Sequence, residues 1–202
     1  FNYIITIPLP IALSSLLAPI LGIHPEALLL LPTQIVLMEL VIDPTSSIVF
    51  ERQPAESNIM TRKPRNSQEH ILNKNNLIKS TTQGFVMFAF SFLTYYYLLV
   101  HNASPIYART IGLMIVLFGN IFLIQVNSSN NDYAFVSLKK LAKDKLFWGI
   151  TLLMLFAYII ILYSPLVTFL NLTSLSIKEL IAVIILAFIS TYWYELIKFT
   201  KK

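Results

Sequence analysis

Ala27-Leu-Leu-Leu-Leu-Pro-Thr-Gln-Ile-Val-Leu-Met-Glu-Leu-Val-Ile-Asp-Pro-Thr-Ser-Ser-Ile-Val-Phe50 is the stretch whose reading decides the fold. About 20 predominantly apolar residues in a helix cross the hydrocarbon of a bilayer, so this run is long enough to span. Inside it stand two carboxylates, Glu39 and Asp43, with Pro44 directly behind them. Ionisable groups within a span are costly, and those found there commonly mark ion or proton pathways. Their i,i+4 spacing puts both on one helix face. Two ionised carboxylates that close repel each other, so the pair needs a bound cation or a shared proton. Pro44 lacks an N–H and crowds the preceding turn, which predicts a broken helix with freed carbonyl oxygens. Breaks at membrane depth are tolerated where the backbone is buried in protein or lines a cavity. Carboxylate and carbonyl oxygens together suit a hard cation. The competing reading is a protonated or hydrogen-bonded pair that holds helices together.

Composition agrees with a membrane location. The 202 residues are 56% hydrophobic and 12% charged, against about 25% charged in ordinary soluble domains. There is no cysteine, which excludes disulfides, thiolate metal sites and cysteine nucleophiles. The chain opens without a methionine, and its first apolar run starts at Phe1 with no basic flank. That predicts no secretory signal and a segment of a longer protein.

Apolar runs fall at 3–22, 27–50, 82–101, 107–126, 146–164 and 180–199. Short connections at 23–26, 102–106 and 165–177 pair them. The expectation is an all-α polytopic membrane protein, six transmembrane helices in three hairpins, forming one domain over 1–202. Two longer polar loops, at about 51–80 and 127–145, separate the hairpins. Thirteen of the fifteen lysines and arginines lie in these two loops or near the C-terminus, while Arg109 and Lys178 lie by the opposite connections. The positive-inside rule therefore puts both long loops and both termini in the cytoplasm. Basic residues spread between spans do not form a nucleic-acid patch, so no nucleic-acid partner is expected; the lipid bilayer is.

Ser46 and Ser47 follow the acidic pair and would each add an oxygen, or else bond between helices. Asn120, near the centre of the fourth span, offers a neutral amide oxygen to a cation, with helix packing as the alternative. Pro8 and Pro10 interrupt the first span much as Pro44 does the second, and paired interruptions point to a midplane site. Tyr95, Tyr96 and Tyr97, with Tyr192, Trp193 and Tyr194, read as interfacial belts. His24, His70 and His101 have no metal-ligand spacing. With no glycine-rich phosphate loop and no nucleophile–base constellation, the chain on its own is expected to hydrolyse nothing.

The span Leu31-Pro-Thr-Gln-Ile-Val-Leu-Met-Glu-Leu-Val-Ile-Asp43 is followed by Glu51-Arg-Gln-Pro-Ala-Glu-Ser-Asn-Ile-Met-Thr-Arg-Lys-Pro-Arg65. Together they resemble the sixth transmembrane helix and exit loop of a P-type cation-transporting ATPase of the calcium-pump-like kind, in a bacterial subgroup. Pro54 to Arg65 follow the family's Pro-x-x-x-x-Ile-Met-x-Arg-x-Pro-Arg loop pattern with small departures. Ile20-Leu-Gly-Ile-His-Pro-Glu-Ala-Leu28 is similar to the turn between the fifth and sixth helices, and Glu195-Leu-Ile-Lys-Phe199 to the end of the tenth. The later helices match in hydropathy and spacing.

The resemblance implies the C-terminal six-helix domain, the fifth to tenth helices of such a pump. Asp43 then stands on the family's aspartate and Glu39 where calcium pumps have an asparagine ligand. Ile42 replaces a threonine ligand. Pro8 and Ile11 fall on an asparagine and a glutamate ligand of the first span, and Asn120 where some members carry a glutamate. One of two cation sites is thereby dismantled, and a single ion per cycle is expected. The transported ion would be Ca2+ or another divalent cation. ATP and Mg2+ would act in domains absent from this sequence: the actuator, phosphorylation and nucleotide domains, which with the first four helices would be its partners. The implied location is a bacterial plasma membrane. Two other readings stand beside this one: an independent carrier or channel using Glu39 and Asp43 as a proton or cation relay, and a non-transporting membrane scaffold.

Overall fold

A computed structural model describes residues 6–51, 74–127 and 145–200. The basic loop motif at 54–65 and most of the 127–145 loop lie outside the described residues. Helices account for nearly all the rest: α1 (Pro8–Ile20), a 3₁₀ turn (Pro25–Ala27), α2 (Pro32–Glu51), α3 (Lys74–Val100), α4 (Pro105–Asn127), α5 (Lys145–Tyr163), the single turn α6 (Leu166–Phe169) and α7 (Ile177–Thr200). Among the described residues there is no strand.

Pro25–Glu51, Leu77–Val100, Pro105–Asn127 and Ile177–Ile197 are long and apolar enough to cross a membrane; Pro8–Ile20 and Phe147–Tyr163 are apolar but shorter. At about 1.5 Å per residue, the 13 residues of α1 rise about 20 Å, short of a hydrocarbon core about 30 Å thick. Among the described residues, then, the six expected spans are represented by four long helices and two short ones.

The sequence explains where the helices start and stop. Three turns use the same device. Gly22, Asn102 and Asn171 all have positive φ, at 66°, 61° and 51°. In each, the amide of the next residue bonds the carbonyl five back: Ile23 to Ala18, Ala103 to Leu98 and Leu172 to Val167. This is the Schellman ending, whose left-handed residue is best tolerated as glycine or asparagine. α4 then restarts at Pro105, with Ser104 Oγ accepting from Tyr107 N at 3.2 Å. α7 restarts through a capping box: Glu179 Oε2 accepts from Ser176 N at 2.6 Å, and Ser176 Oγ from Glu179 N at 3.4 Å. We call the end of the bundle that carries these turns the turn end.

α4 is the centre. Nearly every residue from Ala108 to Val126 is buried, because α3 and α7 pack along it while α2 and α5 touch other faces. With no water to exclude in lipid, association rests on close packing and interhelical hydrogen bonds. Gly112 supplies both: a Cβ there would collide with Leu29 and lie 3.3 Å from Tyr95 Cβ, while its carbonyl accepts from Ser91 Oγ at 2.8 Å. Farther along, Phe122 meets Phe188 and Tyr192 edge-on.

One boundary and one burial differ from expectation. α3 begins at Lys74, inside the stretch read as loop; farther along it Ser80 and Gln83 are buried, and Thr6 Oγ1 donates to the Ser80 carbonyl at 3.2 Å. Tyr95 is fully buried rather than part of an interfacial belt, and its hydroxyl donates to the Ala27 carbonyl. Tyr96 and Tyr97 remain exposed.

Candidate cation site

α2 carries the acidic pair, and its periodicity decides what each side chain faces. Gln34, Met38, Ile42, Ser46 and Val49 form the buried stripe. Glu39 lies about 100° around the helix from Met38 and is exposed, together with Val36, Leu40, Pro44, Ser47 and Ile48. Asp43 occupies the register position one turn beyond Glu39; its side chain is not among those described.

The expected break at Pro44 is absent. α2 runs unbroken from Pro32 to Glu51 with Pro44 inside it. Proline removes one donor, so the local lesion is a single carbonyl, that of Leu40, left without its helical partner. The ring sits on the exposed side, away from the buried stripe, so packing on the opposite face carries the helix through. Pro8 does mark an interruption: Thr6 is helical, Ile7 is a turn, and α1 restarts at Pro8, where the missing N–H costs nothing; α1 continues through Pro10.

Asn120 is completely buried on α4, and neither its Nδ2 nor its Oδ1 has a hydrogen-bond partner among the described residues. Gln83 on α3 is in the same condition. Buried amides are nearly always satisfied by protein or water, so these stand out. The structure thus takes Ser46 and Asn120 into the interior and leaves Glu39 and Ser47 on the surface of α2. Among the described side chains, these four therefore do not share one closed shell. Among the described residues no three His, Asp or Glu side chains cluster as a metal site.

A second polar cluster was not foreseen as a site. Arg109, in the first turns of α4, is 2% exposed. Its Nε donates to the Leu28 carbonyl at 2.7 Å, its Nη1 to Asn171 O at 3.3 Å and its Nη2 to Glu26 O. With Tyr95 on Ala27 O, side chains of α3 and α4 hold three consecutive carbonyls of the turn that enters α2. Gln34 extends the tie: its Oε1 accepts from Leu31 N at 3.0 Å and its Nε2 donates to Leu170 O at 2.7 Å. Nearby, Thr110 Oγ1 accepts from Thr173 N at 3.0 Å, and Tyr107 donates to Glu179 at 2.6 Å. The available signal was a lone arginine near one end of an apolar run, which the charge distribution explained as topology.

The chain belongs to the family of cation-transporting ATPase C-terminal domains, whose profile matches residues 27–200. Membership and the long apolar helices make it an integral membrane, all-helical part of a cation pump. A comparison with curated proteins finds no match.

Proposed function

We propose that this chain supplies the cation-binding and supporting helices of an ATP-driven P-type pump for a divalent cation, with Glu39 and Asp43 as the principal ligands. The observation that carries this reading is Glu39, a carboxylate exposed on the surface of an unbroken apolar span. A charged side chain left in hydrocarbon costs about 2.5–3.5 kcal/mol or more, so that surface has to be met by something polar. The remaining pump domains, above all its first four helices, are the natural cover, and a cation the natural neutraliser. The Leu40 carbonyl freed by Pro44 lies within one turn of both acids and adds a neutral oxygen of the kind hard cations take. Asn120, and more weakly Ser46 and Ser47, complete the donor set.

The rest of the reading follows the same line. All six apolar helices cross the membrane as three hairpins, and both long loops and both termini are cytoplasmic. The pump is calcium-pump-like, of a bacterial subgroup. ATP and Mg2+ act in the other domains, and the ion is Ca2+ or another divalent carried once per cycle. The test is ATP hydrolysis by the full-length gene product in membranes, across a panel of cations, for the native protein and Asp43→Asn. Stimulation by one divalent ion, lost in the variant, is the expected result. Stimulation that survives Asp43→Asn unchanged would make the carboxylates structural and end this reading. Calorimetry showing two equivalent ions per protein would end the single-ion part alone.

A further inference from the structure

We propose that Arg109, with Tyr95, is a positioning residue for the carboxylate site, fixing from the turn end where α2 stands relative to α4. The inference rests on the reading of Glu39 and Asp43 as ligands and adds the device that sets their geometry. Arg109 is nearly fully buried, and its partners are all backbone carbonyls, two in the 24–28 turn and one at Asn171. Burying a guanidinium is expensive unless its donors are met. Filling that space needs only an apolar side chain. The planar fork does something an apolar residue cannot: it binds two separate turns at once, one feeding α2 and the other leading into α7.

The consequence reaches the acids by geometry. Carbonyls 26, 27 and 28 are held by Arg109 and Tyr95, and Gln34 ties the first turn of α2 to Leu170. The turn end of α2 can therefore neither slide nor rotate without breaking several hydrogen bonds. Glu39 stands seven residues beyond Pro32 in an unbroken helix, about 10 Å along the axis. A tilt of about 5° at the base would move it about 1 Å, and ligand sites need their groups held within about 0.5 Å. Lysine at 109 keeps the charge and loses the fork, since a single ammonium on a flexible stem cannot span both turns.

The experiment measures the cation concentration giving half-maximal ATP hydrolysis by the full-length gene product in membranes, with the ion that stimulates the native protein. Arg109→Lys, Tyr95→Phe and Glu39→Gln are compared with it. Loss of a group that orients ligands typically costs about 10- to 100-fold in metal affinity. Arg109→Lys should raise the half-maximal concentration about tenfold, and Tyr95→Phe by a smaller factor, with the rate at saturating cation nearly kept. Variants that only lower the amount of folded protein, with half-saturation as in the native pump, would overturn the proposal. Should Arg109→Lys fail to accumulate, Tyr95→Phe decides in the same way, since it deletes one hydroxyl and no charge. Glu39→Gln separates the two levels. Stimulation unaffected by it removes the ligand reading and this proposal with it; stimulation abolished by it, with no shift in the other two variants, removes this proposal alone.

Discussion

Asn120 is the residue at which packing and ion binding make opposite predictions. Its amide is fully buried with both ends unpartnered among the described residues, a condition that costs about 1–3 kcal/mol. Leucine keeps the branched heavy-atom skeleton, with bulkier methyl groups, and removes both unpartnered polar atoms. Asn120→Leu should therefore leave the thermal stability of the detergent-solubilised full-length protein unchanged or raise it, while the half-maximal cation concentration rises several-fold. Lower stability with unchanged cation response would make Asn120 a packing residue. Gly112 tests packing without ion chemistry: a Cβ there collides with Leu29 and crowds Tyr95, so Gly112→Val should cost about 1–3 kcal/mol by overpacking and lower the melting temperature. Asn120 was conspicuous in the sequence as an amide near the centre of an apolar run. The Arg109 cluster was not, because its partners are backbone carbonyls, which every residue carries and no letter of the sequence marks.

Helices as elements were legible where apolar runs are long, and every expected run contains one. Proline was the misleading sign. Pro44 reads as a breaker from local chemistry alone, yet α2 passes through it because the stripe from Met38 to Val49 is buried on the other face. An interior proline is about 3 kcal/mol less favourable than alanine, so packing must offset most of that. Pro44→Ala should raise thermal stability and, by returning a donor to the Leu40 carbonyl, weaken cation stimulation; gain in stability with full stimulation would show that the freed carbonyl is not used. The start of α7 offers a cleaner number. Glu179 serves both the capping box and Tyr107, and losing a cap typically costs about 1 kcal/mol. Glu179→Ala should lower the melting temperature more than Tyr107→Phe, which gives up only the second bond. Ser176-Ile-Lys-Glu179 has the Ser-x-x-Glu spacing of a capping box.

The described helices form a bundle around α4, in which α2 and α5 expose faces of different character. On α5 the exposed face is wholly apolar, with Leu152 at 60%, Leu153 at 59% and Phe156 at 62% exposed. On α2 the exposed face holds Val36 at 63% and Leu40 at 71%, with Glu39 between them. Exposure alone does not separate them, but solvation does: lipid accepts the first face at no cost and the second only with a carboxylate in hydrocarbon. The α5 face should therefore meet acyl chains, and the α2 face should be covered by the remaining helices of the pump. Composition separates the two runs, since α2 carries Glu39, Asp43, Ser46 and Ser47 where α5 is almost wholly apolar, but it does not say which residues of each run face outward. This sequence contains no cysteine, so spin labels attached at single introduced cysteines report on its helices one at a time, with any cysteine elsewhere in the full-length gene product replaced. In membranes, a label at Leu153 should collide freely with dissolved oxygen, as a lipid-facing group does, whereas a label at Val36 should be shielded. Equal oxygen access at both positions would mean that α2 faces lipid, and Glu39 would then have to be neutral or turned away from its present orientation.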